Sequence, residues 1–487
     1  TQVVLNPDLN TRLVLRQNAF SQIVVHNTFS GFNFITVNTA GGLFAQVMAE
    51  GYSSTSKEGF PKLPVMRQLI EIPVGAELEV SVISSSIKEF ILSDLGIVNP
   101  IMPVQPPMPK SAGRAERFSI NRQVYQRNAY QNLPIASAEV LGYLRGSRIA
   151  RLDISPVDYN PVTGTIRIYE ELVIEVKFTG GNYGATAELQ ERTRSPYFGI
   201  NQKTFLNALP TGTGMRDPMT RYPVKMAIVS APLFQEALQP FIEWKTRKGF
   251  TVIEAYTDNP AVGTTTASIK NYLTGLYNEG TPEDPAPSFV LFVGDVAQIP
   301  AFSQSGHVTD LYYCEYTGDY FPDVYYGRFS ATTVAQLQPQ IDKTLMYEQY
   351  TFPDPSFLGE SLMVSGVDAG FAPVHGNGQI NYGTTNYFNE AHGFLSHNYL
   401  YPASGSSSSA IIQNVSNGVA YGNYTAHGSS SGWADPSFSI SDIAYRGCKM
   451  QASIPCWLAT AVLPVLITPI ALAKSCSGPR IKVPLGI

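Results

Sequence analysis

Cysteine is scarce in this chain of 487 residues, with Cys314 followed only by Cys448, Cys456 and Cys476. No C-x-x-C pair occurs, which excludes a zinc ribbon and a disulfide-stapled scaffold. Charge of one sign is also lacking: 33 Lys and Arg against 38 Asp and Glu leave a net charge of −5. There is thus no electrostatic case for nucleic acid or an anionic membrane as partner. Long apolar runs are missing too. The longest late one, Ala461 to Ala473, is too short to cross a bilayer and carries Pro464 and Pro469, so no membrane span is expected. Thr1 is not a start residue and no basic-then-apolar leader follows it, so a targeting segment is expected to be absent or already trimmed.

The length supports two or three domains. Residues 1–180 alternate apolar and polar positions between Gly, Pro and Asn turns, with no sustained helical period. Examples are Arg12 to Leu15, Gln22 to His26, Arg67 to Pro73, Glu77 to Ser84 and the paired runs Thr165 to Tyr169 and Leu172 to Phe178. This pattern predicts an antiparallel β-sandwich. Met102 to Arg117 is Pro-rich and then basic at Lys110, Arg114 and Arg117, as in an exposed loop. Residues 181–221 are polar, with Arg192, Arg194, Lys203, Arg216 and Arg221, and read as an accessible linker.

After Tyr222 strands and helices alternate. Strands are expected at Lys225 to Ser230, Phe250 to Tyr256, Ser288 to Val293, Ser361 to Val367, near Asn398 to Tyr401, and Val419 to Tyr424. Helices are expected at Leu233 to Lys248, Thr266 to Tyr277, Val334 to Tyr350, Tyr382 to His392 and Ala410 to Val415. Such alternation means parallel strands with crossover helices, divided here into 222–351 and 352–445. It predicts that Asp295, Asp368 and His427 share the carboxyl rim of a sheet, where ligands and catalytic groups collect.

His427 is the residue to explain. It ends the apolar run and is followed by Gly428, which lets the backbone turn sharply and open its amide toward a substrate. A neutral imidazole suits general base work, and Asp368 could orient it. A satisfied histidine at a strand end is the competing reading. Gly428 to Gly432 fits G-x-S-x-G, but no histidine follows His427, so the serines read as a turn and not a nucleophile elbow. His392 and His397 are spaced poorly for zinc and read as surface residues.

Asn423-Tyr424-Thr425-Ala426-His427-Gly428-Ser429, with Trp433-Ala434-Asp435-Pro436, resembles the gingipain family of bacterial cysteine endopeptidases, peptidase family C25, and its lysine-specific branch in particular. Trp244-Lys245-x-x-Lys248-Gly249-Phe250, Val262-Gly263-Thr264-Thr265-x-Ala267-Ser268-Ile269-Lys270, Val308-Thr309-Asp310-Leu311-Tyr312-Tyr313 and Gly318-Asp319-Tyr320-Phe321-Pro322 match in order. The resemblance spans about 222–445, and residues 1–180 resemble the family's β-sandwich propeptide. It implies a secreted or cell-surface peptidase with a caspase-like α/β domain that cuts protein substrates after a basic residue. His427 matches the family histidine, Asp368 the acid and Thr425 a residue lining the specificity pocket, while Gly428 is a candidate substrate-binding position. The resemblance also implies inhibition by the chain's own propeptide, with Lys110 or Arg114 as the plug and 181–221 as the maturation site. It allows calcium, although no D-x-D-x-D loop supports it, and no other cofactor is implied.

Past Tyr445 the resemblance stops. The family nucleophile belongs about 35 residues beyond His427, after Gly-Asn-Cys, but this chain reads Leu458-Ala459-Thr460-Ala461-Val462. Regrouping the triplets one base earlier from the codon of Gly447 permits, with suitable wobble bases, a tail containing YPLLVGNCC and then CFGEELLRAKDKGA. Residues 446–487 therefore read as out of frame, with the nucleophile's codon straddling Ala461 and Val462. Such a chain is expected to be inactive and to fold poorly after about Ser441. The competing readings are a non-catalytic peptide-binding decoy and a serine hydrolase using Ser430, which a fluorophosphonate would label.

Overall fold

The computed structural model describes residues 2–5, 12–106, 118–199, 204–210, 222–304, 307–367, 372–426, 428–429, 432–433, 435–439, 441–442 and 458–461. The chain divides into two compact units. The first is Thr1–Arg221 with Thr281–Glu283 and Thr317–Asp323, and the second is the remainder from Tyr222.

The first unit is all-β apart from short helices, as the alternation predicts. One sheet orders Ser53–Ser54, Pro64–Glu71, Ser147–Ile154 and Ala136–Leu144. A second orders Val157–Asn160, Thr165–Thr179, Gln22–Thr28 and Arg12–Ala19, with Glu77–Ile91 also on Thr165–Thr179, and a third orders Gln2–Val4, Gly31–Thr39 and Gly42–Met48. Ile23, Val25, Leu172, Ile174 and Val176 of the second sheet pack with Ile70, Ala150, Leu152 and Ile154 of the first, closing a sandwich core.

Thr165–Thr179 is one strand of fifteen residues and not the two separate runs that the sequence suggests. Its two apolar runs meet at Glu170 and Glu171 with no turn residue between them. A register shift against Glu77–Ile91 at that point absorbs the break in alternation.

Within the expected linker 181–221, residues 183–199 and 204–209 are not the free chain that composition predicts. Tyr183–Arg192 is helical, with the Asn182 side chain accepting from the Ala185 amide. Further on, the buried Asn207 pairs with the backbone of Glu71, receiving its N–H (2.9 Å) and donating to its carbonyl (2.9 Å). The buried Glu71 carboxylate accepts from Ser147 Oγ (2.6 Å), Gln190 Nε2 (3.1 Å) and the Leu209 amide (2.8 Å). A buried carboxylate requires such donors, and meeting that need ties 204–209 to the sandwich. Arg216 and Arg221 lie outside the described residues, as do Lys110, Arg114 and Arg117.

The second unit is α/β. Strands β1 (Val224–Ser230), β2 (Phe250–Tyr256), β3 (Phe289–Val293) and β4 (Tyr325–Phe329) form a parallel sheet in the order β2-β1-β3-β4. The continuous apolar reading of β1 and β3 follows from cover on both faces. Met226, Ile228, Leu291 and Val293 meet Leu238, Phe241 and Ile242 of α1 (Gln235–Arg247) and Leu337 and Ile341 of α3 (Val334–Gln349). On the other face Ala227, Val229, Val290 and Phe292 meet Ile269 and Leu273 of α2 (Thr266–Asn278). Thr265 and Ser268 form a capping box that starts α2.

α1 and α3 are joined through one carboxylate. Glu348 accepts from Trp244 Nε1 (2.8 Å), Lys245 Nζ (2.6 Å) and Lys248 Nζ (3.0 Å), which explains why Trp244, Lys245 and Lys248 occur together. Burial pushes the Glu348 carboxyl up, but the two ammonium groups and the indole outweigh it and hold the pKa below the ordinary 4.5. A carboxylate with a depressed folded pKa stabilises the fold above its unfolded pKa, and that contribution is lost as pH falls through the folded value. Wild-type protein should therefore lose denaturation midpoint more steeply than Glu348→Gln on acidification from neutral to about pH 3. Parallel curves would contradict this role.

Candidate active site

A second parallel sheet holds the remaining strands, β5 (Glu360–Ser365), β6 (Leu395–Tyr399), β7 (Tyr421–Thr425) and β8 (Leu458–Ala461), in the order β6-β5-β7-β8. Helices α4 (Asn377–Asn386) and α5 (Ser408–Asn417) are its crossovers. In register, Ser365 stands opposite Thr425 and Thr425 opposite Ala461, so three strands end level at one carboxyl edge. Asp368, His427 and Val462 follow these ends by three, two and one residues and lie outside the described residues, as does Ser430.

Asp295 does not join that edge. It follows β3, in the other sheet, and its Oδ1 accepts the Val296 amide at 2.7 Å while its carbonyl accepts from Gln298 and Ile299. The carboxylate serves a turn. Two strand–helix rounds closed two sheets, and not the single rim that the alternation predicts.

The described parts of the edge are tightly fixed. The Gly366 amide donates to the Thr425 carbonyl (3.1 Å) and the Val367 amide to the Asp435 carbonyl (3.0 Å), which the Tyr424 hydroxyl also reaches (3.3 Å). Trp433 stacks on Tyr424 with ring centroids 4.1 Å apart and planes 5° from parallel. Gly428–Ser429 pairs with Gly432–Trp433, which pairs in turn with Phe438–Ser439, so Gly428 opens a small antiparallel ribbon. A Cβ on Gly366 would come within 2.3 Å of the Ala426 Cβ and 2.5 Å of the Asp435 carbonyl oxygen. Gly366→Ala should cost about 1–3 kcal/mol, read as a lower thermal midpoint; unchanged stability would mean that the two loops can separate freely.

Thr425 is buried, and its Oγ1 donates to Gln379 Oε1 (3.0 Å) and accepts from Asn423 Nδ2 (3.0 Å). Gln379, on α4, was not legible beforehand. It lies 46 residues from Thr425 in a helix of weak apolar period, and only the closed sheet brings the two together. His397 is not the bare surface residue that spacing suggests, because it is half-buried on β6 with Nε2 2.7 Å from Glu360 Oε2. Cys314 is buried in the first parallel sheet's core, away from this edge. Among the described residues no group of three or more His, Cys, Asp or Glu could hold a metal ion, and no helix is long and apolar enough to cross a membrane.

A β-sandwich unit followed by an α/β unit of parallel strands and crossover helices fits the class of α/β peptidases that carry a propeptide domain. Residues 220–460 match the model of peptidase family C25 and residues 2–207 match that of Propeptide C25, and the chain belongs to this family. It is 37% identical over 442 residues to Lys-gingipain HG66 of Porphyromonas gingivalis, which covers 89% of this chain and 25% of that protein. Gingipain R1 of the same organism is 26% identical over 455 residues, covering 91% of this chain and 43% of that protein. A solved structure concerned with the zymogenic latency of gingipain K from Porphyromonas gingivalis shares 33% identity and a TM-score of 0.34, covering 37% of this chain and 98% of that one. The chain thus spans about a quarter of the length of the Lys-gingipain it matches.

Proposed function

We propose that this chain represents a secreted or surface cysteine endopeptidase that cuts after a basic residue, Lys in preference to Arg, and that the polypeptide as it stands is inactive. In this reading His427 is the base that takes the thiol proton, Asp368 orients its imidazole, and Thr425 with Gly428 receives the substrate. The sulfur is missing because the sequence runs Thr460-Ala461-Val462 where the nucleophile belongs. The observation that carries the reading is the register of β7 and β8. With Ala461 opposite Thr425, β7 and β8 end level, and in the sequence His427 follows one end by two residues and Val462 the other by one. The family match ends at residue 460, just short of that position. The match and β8 both continue past Tyr445, where the sequence resemblance was expected to stop, so the missing thiol alone carries the out-of-frame reading of the tail; sequencing the DNA across codons 440–470 tests it. Bases that cannot spell two adjacent cysteines on regrouping would overturn the account.

The β-sandwich unit is read as the inhibitor of this cleft, with Lys110 or Arg114 as the plug. Unchanged inhibition of an intact relative by a sandwich unit lacking both side chains would remove that assignment. A second reading, a peptide-binding decoy, draws on the Thr425–Gln379 hydrogen bond, since a wall of the pocket is fixed without any sulfur. Titration with a lysyl peptide inhibitor separates the two: saturable binding without turnover favours the decoy, and neither binding nor turnover favours a dead product.

A further inference from the structure

The second parallel sheet has a built cavity at its other end. About 210 Å³ of space opens at the amino end of β5 and β7, lined by Phe357, Glu360, His397, Asn414, Asn417 and Gly418 among others. Glu360 is the first residue of β5 and the candidate active-site edge begins at Ser365, so the strand rise separates them by about 17 Å. Nothing in the peptidase chemistry uses this place.

Its lining has one electrostatic sense. The Glu360 carboxylate shares a single oxygen with His397 Nε2, at 2.7 Å. The backbone carbonyl of Glu360 accepts from Ala420 (2.9 Å), which fixes the strand start against the loop after α5. Asn414 commits its Nδ2 to the Tyr399 hydroxyl (2.7 Å), which leaves Oδ1 as its acceptor, whereas Asn417 Oδ1 already accepts from Gln413 Nε2 (2.7 Å). Asn414, Asn417 and Gly418 belong to the carbonyl end of α5, the negative end of a ten-residue helix. The lining includes no lysine or arginine, so a cation is favoured and an anion is not.

The size and the remaining wall narrow the class. One carboxylate and one imidazole are too few for a divalent metal, and the volume exceeds what a bare ion fills. Phe357, fully buried, adds an apolar aromatic wall suited to a short alkyl chain. We propose that this pocket binds a small primary alkylammonium ion, its ammonium on Glu360 and the Asn414 side-chain oxygen, its alkyl stem along Phe357.

Calorimetric titration of the full chain with n-butylammonium chloride tests this, with n-butanol as the uncharged isostere and calcium chloride as the inorganic cation. Saturable one-to-one binding of butylammonium is expected, about tenfold weaker in Glu360→Gln, with no saturable heat from butanol. Equal binding of butanol, an unchanged affinity in Glu360→Gln, or saturable heat from calcium alone would overturn the proposal. If circular dichroism reveals that Glu360→Gln does not fold, Asn414→Ala leaves the carboxylate in place and should weaken binding about threefold. Unchanged affinity there would also overturn it.

Discussion

Purified, this chain should hydrolyse lysyl and arginyl peptides roughly a millionfold more slowly than a family member with its thiol in place. The attacking atom of a cysteine peptidase is a thiolate, and the histidine contributes only by generating it. Here the strand beside β7 ends in Leu458-Ala459-Thr460-Ala461, none of which carries a nucleophile of that kind. Cys314 cannot substitute, because it is buried in the core of the other sheet. Iodoacetamide should accordingly leave any residual turnover unchanged, whereas a peptidase of this family would be silenced by it. Turnover at rates typical of the family, abolished by alkylation, would refute both the inactivity and the tail reading behind it.

Arg328→Met should lower stability by about 3–5 kcal/mol, enough to threaten the second unit's fold. Arg328 is buried on β4 and forks onto Asp310 through Nε (2.8 Å) and Nη2 (2.6 Å), while Nη1 donates to the carbonyls of Gly294 and Ile299, each at 2.9 Å. Removing the guanidinium strands a largely buried carboxylate and two carbonyls at once. Removing both charges together is a different experiment. Asp310→Leu with Arg328→Met should recover much of the loss, since the isolated carboxylate is the larger part of the penalty. Denaturant midpoints of the two single variants and the pair decide it; a double variant as weak as the sum of the singles would show that the carbonyl contacts dominate.

The sequence spoke most clearly where one periodicity acts over many residues. Alternation in residues 22–26 and 165–178 exposed the sandwich, and the apolar stretches Met226 to Val229 of β1 and Phe289 to Val293 of β3 exposed a sheet covered on both faces. β4 was missed because Tyr325-Tyr326-Gly327-Arg328-Phe329 places a cation mid-strand, which reads as surface until the Asp310 partner is known. The division into two sheets was missed for a related reason. Strand–helix alternation specifies crossovers but does not say which strand a returning chain pairs with. At the candidate site, Thr425 and Gly428 could be singled out from a local string, whereas Gln379 could not, since its role depends on a hydrogen bond across 46 residues. The apparent linker was misjudged because polar composition marks exposure only on average. In this stretch Asn207 is polar to satisfy Glu71 and not water.

That anchoring settles ownership of the chain ends in any molecule nicked downstream of Pro210. The stretch 204–209 would depart with the β-sandwich, because its hydrogen bonds run to Glu71, Leu69 and Gln68 there. The newly made amino terminus would belong instead to the unit that opens with β1. Scission would thus leave the sandwich with its own carboxyl-terminal thread sewn in.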